Sequence, residues 1–178
     1  ILMIISIPLL AMLLYLTLFA EPIYQKSAQL LISQSETIAG NRLENQTIQA
    51  DLQLVSTYST IIMSPRILNE VSEALEESYD VAELSEILSV TNATNSQIIE
   101  INAYHQSPKI AAEIANTTAS VFSEEIPKIM NIDNVTILAE GTVLPQETPA
   151  RPNKFLLYSL TTFLSLLFAF TYVFLLLV

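Results

Sequence analysis

The chain has 178 residues, 18 of them acidic and 7 basic, for a formal net charge of −11. That balance excludes a nucleic-acid face, which needs clustered lysine and arginine. With no cysteine it can form neither disulfides nor thiolate metal sites, and with two glycines it has too few for a phosphate-cradling loop.

Residues 1–20 carry no charge, and neither do residues 155–178. At a rise of about 1.5 Å per residue, each run crosses the roughly 30 Å of hydrocarbon in a bilayer. We read both as transmembrane helices. Tyr15 and Phe19, and Phe155 and Tyr158, sit where an aromatic belt meets the headgroups. A cleaved signal peptide is the alternative for the first run. Pro8 inside it, and the lack of a small-x-small site before Glu21, argue against that. The start at Ile1 and the apolar end at Val178 suggest a fragment with flanking segments. The charge falls wholly between Glu21 and Lys154. Retained basic loops belong in the cytoplasm, so an acidic middle is expected outside. An outer domain without disulfides suits a bacterium.

From the first run onward, Tyr24 to Ser33 alternates polar and apolar residues, which predicts a strand. Ser35 to Arg42 reads as a polar loop. Asn45 to Met63 has the apolar spacing of one helical face, and Ser64-Pro65 starts a second helix. Asp80 and Glu83 form a capping box for a short third helix reaching Leu88. Ser89–Asn92 and Ile98–Tyr104 read as strands. Ser107-Pro108 opens a helix expected to end at or before Ile126, because Pro127 follows. Asn134–Ala139 is the last strand. Pro145, Pro149 and Pro152 then disfavour helix and sheet alike and predict an extended juxtamembrane segment. The fold class expected is α/β (α+β): one mixed sheet with helices packed on it, flanked by two transmembrane helices. The boundaries are 1–20 for the first helix, 21–143 for the domain, 144–154 for the proline segment and 155–178 for the second helix.

Little in the sequence points to catalysis. His105 is the lone histidine, with no nucleophile or orienting carboxylate beside it in sequence. Glu70, Glu73, Glu76, Glu77, Asp80, Glu83 and Glu86 form an acidic run that reads as a solvated helical face before it reads as a cation site. Asn45, Asn92, Asn116 and Asn134 head N-x-[ST] sequons, expected as chance matches in an Asn- and Thr-rich chain. Arg66 and Lys128 stand alone in an acidic domain. They are candidates for intersubunit or glycan contact, against an intrachain surface ion pair of small value. No catalytic, cofactor-binding or metal residue is assigned, and no cofactor is expected.

The order of these features resembles the chain-length determinant (Wzz) family, the polysaccharide co-polymerases. Closer still is the resemblance to the Gram-positive capsule and exopolysaccharide branch that modulates a bacterial tyrosine kinase. The resemblance rests on Tyr24-x-x-x-Ala28-x-Leu30-Leu31-Ile32, Gln53 to Tyr58, Ser64 to Leu68, Glu70-Val71, Ile114-Ala-Asn116, Ile126 to Met130, Asp133 to Leu138 and the prolines. The domain is short beside Gram-negative members, and the proline spacing is looser than usual. The resemblance implies a two-pass protein of the bacterial plasma membrane with an extracytoplasmic domain, assembled as a homo-oligomeric ring. It implies a non-enzymatic role in polymer chain length. The implied partners are a cytoplasmic tyrosine kinase, reached through a tail beyond Val178, and the polysaccharide polymerase with its lipid-linked glycan. An extracytoplasmic sensor that signals without touching polymer, and an enzyme acting on lipid-linked glycan, are the other readings.

Overall fold

Alternation in the first strand becomes two faces of a sheet. In β1 (Tyr24–Ile32), Lys26, Ala28, Leu30 and Ile32 are buried, while Gln25, Ser27, Gln29 and Leu31 point the other way. The computed structural model describes residues 10–15, 20–33, 55–76, 78–92, 96–131 and 134–177. These divide into two compact units, one holding Tyr24–Glu147 and the other the two ends of the chain.

In the first unit the sheet adds β2 (Leu88–Asn92), β3 (Ile98–His105) and β4 (Val135–Ala139) in the order β2-β3-β1-β4. Every pairing is antiparallel, which corrects the expected mixed sheet. The reason lies in the crossovers. The helices after β1 carry the chain past the place of β3 to β2, and the helix after β3 carries it past β1 to β4. Parallel strands are therefore never neighbours. This is the split β-α-β, or ferredoxin-like, topology, an arrangement that hosts many unrelated functions.

The helices cover one face. Helix α2 (residues 55–62) buries Val55, Tyr58 and Ile62; the remainder of the expected helix from Asn45, and the Ser35–Arg42 loop, lie outside the described residues. Helix α3 (Pro65–Ala74) starts on Pro65 and buries Ile67, Leu68 and Val71. Ser64 takes the N-cap position without a side-chain cap bond, and Ser107 does the same before α5. The capping box of α4 (Val81–Ile87) forms as read: the Glu83 amide donates to Asp80 Oδ1 at 2.8 Å, and the Asp80 amide to Glu83 Oε2 at 3.0 Å.

Helix α5 (Pro108–Met130) is the spine. It packs on β1, β3 and β4 and on α3, burying Ile114, Ala115, Phe122 and Ile126 among others. It does not stop before Pro127 as expected but runs four residues past Ile126. Burial holds the last turn: Ile126 is fully buried, and Ile129 and Met130 pack against the core. Termination falls instead to Asn131, left-handed at φ 54°, whose amide donates to the Pro127 carbonyl.

In the second unit, α1 (residues 10–15) is the described part of the expected first span. Helix α6 (Lys154–Leu177) has 24 residues and is long and apolar enough to cross a membrane. The Leu156 amide donates to Asn153 Oδ1, capping its start. Phe155, Phe163 and Phe170 are 84%, 62% and 74% exposed, an arrangement suited to lipid. The five serine and threonine hydroxyls of α6, on Ser159, Thr161, Thr162, Ser165 and Thr171, donate back to carbonyls three or four residues earlier, so none of these needs water. Among its described side chains Ser165 and Ala169 are buried, on one face, and Ser165 lines a groove shared with Met12. Ile23 pairs with Arg151 in an isolated antiparallel bridge.

Candidate functional site

Of the residues singled out in the sequence, Arg66 and Lys128 do come together. Both reach Glu125, Arg66 Nη2 at 3.5 Å and Lys128 through a short hydrogen bond. Lys128, and behind it Arg66, hold the Glu125 carboxyl below its ordinary pKa, against some burial; Glu125 in turn raises Lys128. Both cations are about two-thirds exposed, and the pairs are made within the chain at its surface.

His105 ends β3, a central strand rather than an edge. Its Nδ1 accepts from the Ser107 amide at 3.0 Å, and its Nε2 lies 3.3 Å from Tyr79 Oη. The ring shapes the turn into α5. In the acidic run, Glu70, Glu73, Glu76, Asp80, Glu83 and Glu86 are exposed, and Glu77 lies outside the described residues. Among the described residues no group of three or more His, Asp or Glu is placed to hold a metal ion. The sequons diverge: Asn92 is exposed, Asn116 half-buried and Asn134 buried, while Asn45 lies outside the described residues. Of the three prolines, Pro145 falls in the sheet-bearing unit, whereas Pro149 and Pro152 line a shallow pocket with Asn153 and Lys154 in the other.

Three arrangements were not read from the sequence. Lys26, buried near the start of β1, pairs with Glu147 and donates to the Thr142 carbonyl at 2.8 Å, while the Leu144 amide also donates to Glu147. Lys26 first, and the Leu144 amide second, lower the Glu147 pKa. Asn116 clamps the backbone of Gly141. On the sheet face away from the helices, Asn102 Oδ1 accepts from Gln25 Nε2 at 2.7 Å and from Ser27 Oγ at 2.6 Å, and Asn102 Nδ2 donates to Thr91 Oγ1 at 3.0 Å. Gln29 Nε2 reaches Glu100 Oε1 beside them at 3.4 Å. The signal for this last group was present, since period-2 alternation puts Gln25, Ser27 and Gln29 on one face. Their cross-strand partners needed the register.

The chain has relatives of known name. Residues 1–75 match the family model of Wzz, the chain length determinant protein. A capsular polysaccharide biosynthesis protein CapA of Staphylococcus aureus is 39% identical over 134 residues, 75% of this chain and 60% of its own length. The probable capsular polysaccharide biosynthesis protein YwqC of Bacillus subtilis is 38% identical over 135 residues, 76% of this chain and 54% of its own length. The type 5 protein cap5A of S. aureus is 41% identical over 126 residues, 70% of this chain and 56% of its own length. The chain thus spans between about half and three-fifths of the length of these relatives. By these matches the chain belongs to the chain length determinant (Wzz) family, alongside the capsular polysaccharide biosynthesis proteins of Gram-positive bacteria.

Proposed function

We propose that this chain is a non-enzymatic membrane regulator of capsular or exopolysaccharide polymerisation and chain length. It acts as an oligomeric co-polymerase and as the transmembrane activator of a cytoplasmic tyrosine kinase. The observation that carries the reading is the 39% identity to a capsular polysaccharide biosynthesis protein across most of the chain. Helix α6, with its exposed phenylalanines and self-satisfied hydroxyls, supports a membrane anchor. The first apolar run supplies the second pass, and the acidic domain between them lies outside the plasma membrane. His105 serves the β3–α5 turn and the described residues of the acidic run are exposed, which supports a role whose chemistry is supplied by partners.

Deleting the gene and restoring it on a plasmid tests this. Polymer length, read by gel or light scattering, changes on deletion and returns on complementation, and kinase phosphotyrosine falls and recovers with it. Unchanged length sinks the co-polymerase role. A second reading, a sensor that signals to the kinase without touching polymer, draws on the Lys26–Glu147 latch, which ties the first strand of the domain to its last residues. Under that reading, phosphotyrosine alone responds.

A further inference from the structure

The sheet face opposite the helices forms an ordered plane of side chains. Antiparallel register puts Gln25 beside Tyr104, Ser27 beside Asn102 and Ser89, and Gln29 beside Glu100 and Thr91. Leu31 and Ile98, with Thr136, close the far end. At about 4.8 Å between strands and two residues per row, the plane measures roughly 15 by 20 Å. That is room for a short extended chain.

Its chemistry is mostly polar and uncharged. In a chain of net charge −11, Glu100 is the only charged side chain in these rows, and the lysine of β1, Lys26, points to the helical side. Apart from Leu31 and Ile98 at the far end and Ala139 beside Gln29, the rest are primary amides, hydroxyls and one phenol. Asn102, only 3% exposed, is fixed by three partners, so the amides around it are preorganised. Planar amides and hydroxyls both donate and accept, which matches vicinal sugar hydroxyls and acetamido groups. Tyr104 adds an aromatic body at one end. An anionic polymer meets no cation here and a repelling field around it.

We propose that this face binds an uncharged, hydroxyl- and acetamido-bearing segment of the polysaccharide; the proposal rests on the reading of the chain as a polysaccharide regulator. The full chain in lipid nanodiscs, free of sugar detergents, is probed with an N-acetylglucosamine tetramer by saturation-transfer NMR. The expected result is saturable transfer in the millimolar range. It falls at least threefold in the Gln25→Ala/Gln29→Ala double variant and is unchanged in Glu73→Gln on the helical side. A galacturonate tetramer gives a weaker signal. Asn102→Ala risks the fold, so the double variant, checked by circular dichroism, carries the test. No transfer to the wild type overturns the proposal, as does transfer indifferent to the double variant or equal for the anionic tetramer. A double variant that alters subunit number by mass photometry and leaves the sugar signal intact makes the face a protein interface and also overturns it. If deletion of the gene changes polymer length while the double variant does not, the regulator reading stands and this inference alone fails.

Discussion

Asn116 and Gly141 hold one another by two hydrogen bonds: Asn116 Nδ2 donates to the Gly141 carbonyl at 3.0 Å, and the Gly141 amide donates to Asn116 Oδ1 at 2.7 Å. The chain leaving β4 is thereby fixed on the middle of α5. A side chain at 141 has little room. An added Cβ lies 3.3 Å from the Ser27 carbonyl oxygen and 3.5 Å from Ala112 Cα. Asn116→Ala leaves two partly buried backbone groups unpaired and is expected to cost about 1–3 kcal/mol. Gly141→Ala forces a shift of a few tenths of an ångström and should cost less. Urea unfolding of the full chain in nanodiscs checks both; a Gly141→Ala loss larger than that of Asn116→Ala contradicts the assignment.

That clamp also shows what the sequence could and could not reveal. Asn116 was visible as a sequon and as a residue within a helical stretch, but nothing local names a glycine 25 residues away as its partner. The same limit hid Lys26–Glu147, 121 residues apart. Local signals fared better. The Asp80–Glu83 box, Pro65 and Pro108 at helix starts, and the alternation of β1 all formed where read. Pro127 misled, because burial of Ile126 outweighs one lost helical hydrogen bond. Strand direction was not legible either, since it depends on which strand inserts between the ends of each crossover.

Tyr58 is the largest fully buried side chain and joins two parts of the core. Its ring meets Phe122 edge-on at 5.8 Å, and its hydroxyl lies 3.0 Å from Asn134 Oδ1. Tyr58→Phe keeps the packing and strips a buried amide of its donor, for an expected loss of about 1–3 kcal/mol. Tyr58→Ala adds a cavity and should cost about 3–5 kcal/mol. Unfolding curves that rank the two the other way would refute this. Asn134, 4% exposed, should also resist glycosylation when the chain is expressed in a glycosylating host.

Arg66 and Lys128 share one carboxylate at the surface, so neither is expected to matter for folding. Arg66→Ala and Lys128→Ala should leave the thermal midpoint within about 2 °C of wild type. Their candidate role between subunits is then open to a clean test. If the double variant lowers the subunit number by mass photometry at an unchanged midpoint, the two cations act between copies. An unchanged subunit number confines them to Glu125.

Lys26 and Glu147 make stability depend on acid. The Lys26 hydrogen bond, then the Leu144 amide, lower the folded pKa of Glu147 from its ordinary 4.5. A carboxyl lowered on folding adds stability that is fully present above its unfolded pKa and is lost as pH falls through the folded one. Glu147→Gln retains an acceptor for the Leu144 amide and removes the charge. The variant should therefore be less stable than wild type at about pH 6, and the gap should close as pH drops through about 4.5 and below. Glu125, lowered by Lys128, titrates in the same range in both proteins and cancels in the difference. Lys26→Met at about pH 6 should expose the same dependence from the other side, because it leaves Glu147 without its cation and the Thr142 carbonyl without its donor. Hydrogen exchange should then rise first at Leu144, whose amide donates to Glu147. A Glu147→Gln deficit that stays constant from about pH 6 to pH 3 would mean the carboxylate contributes shape alone and its charge nothing.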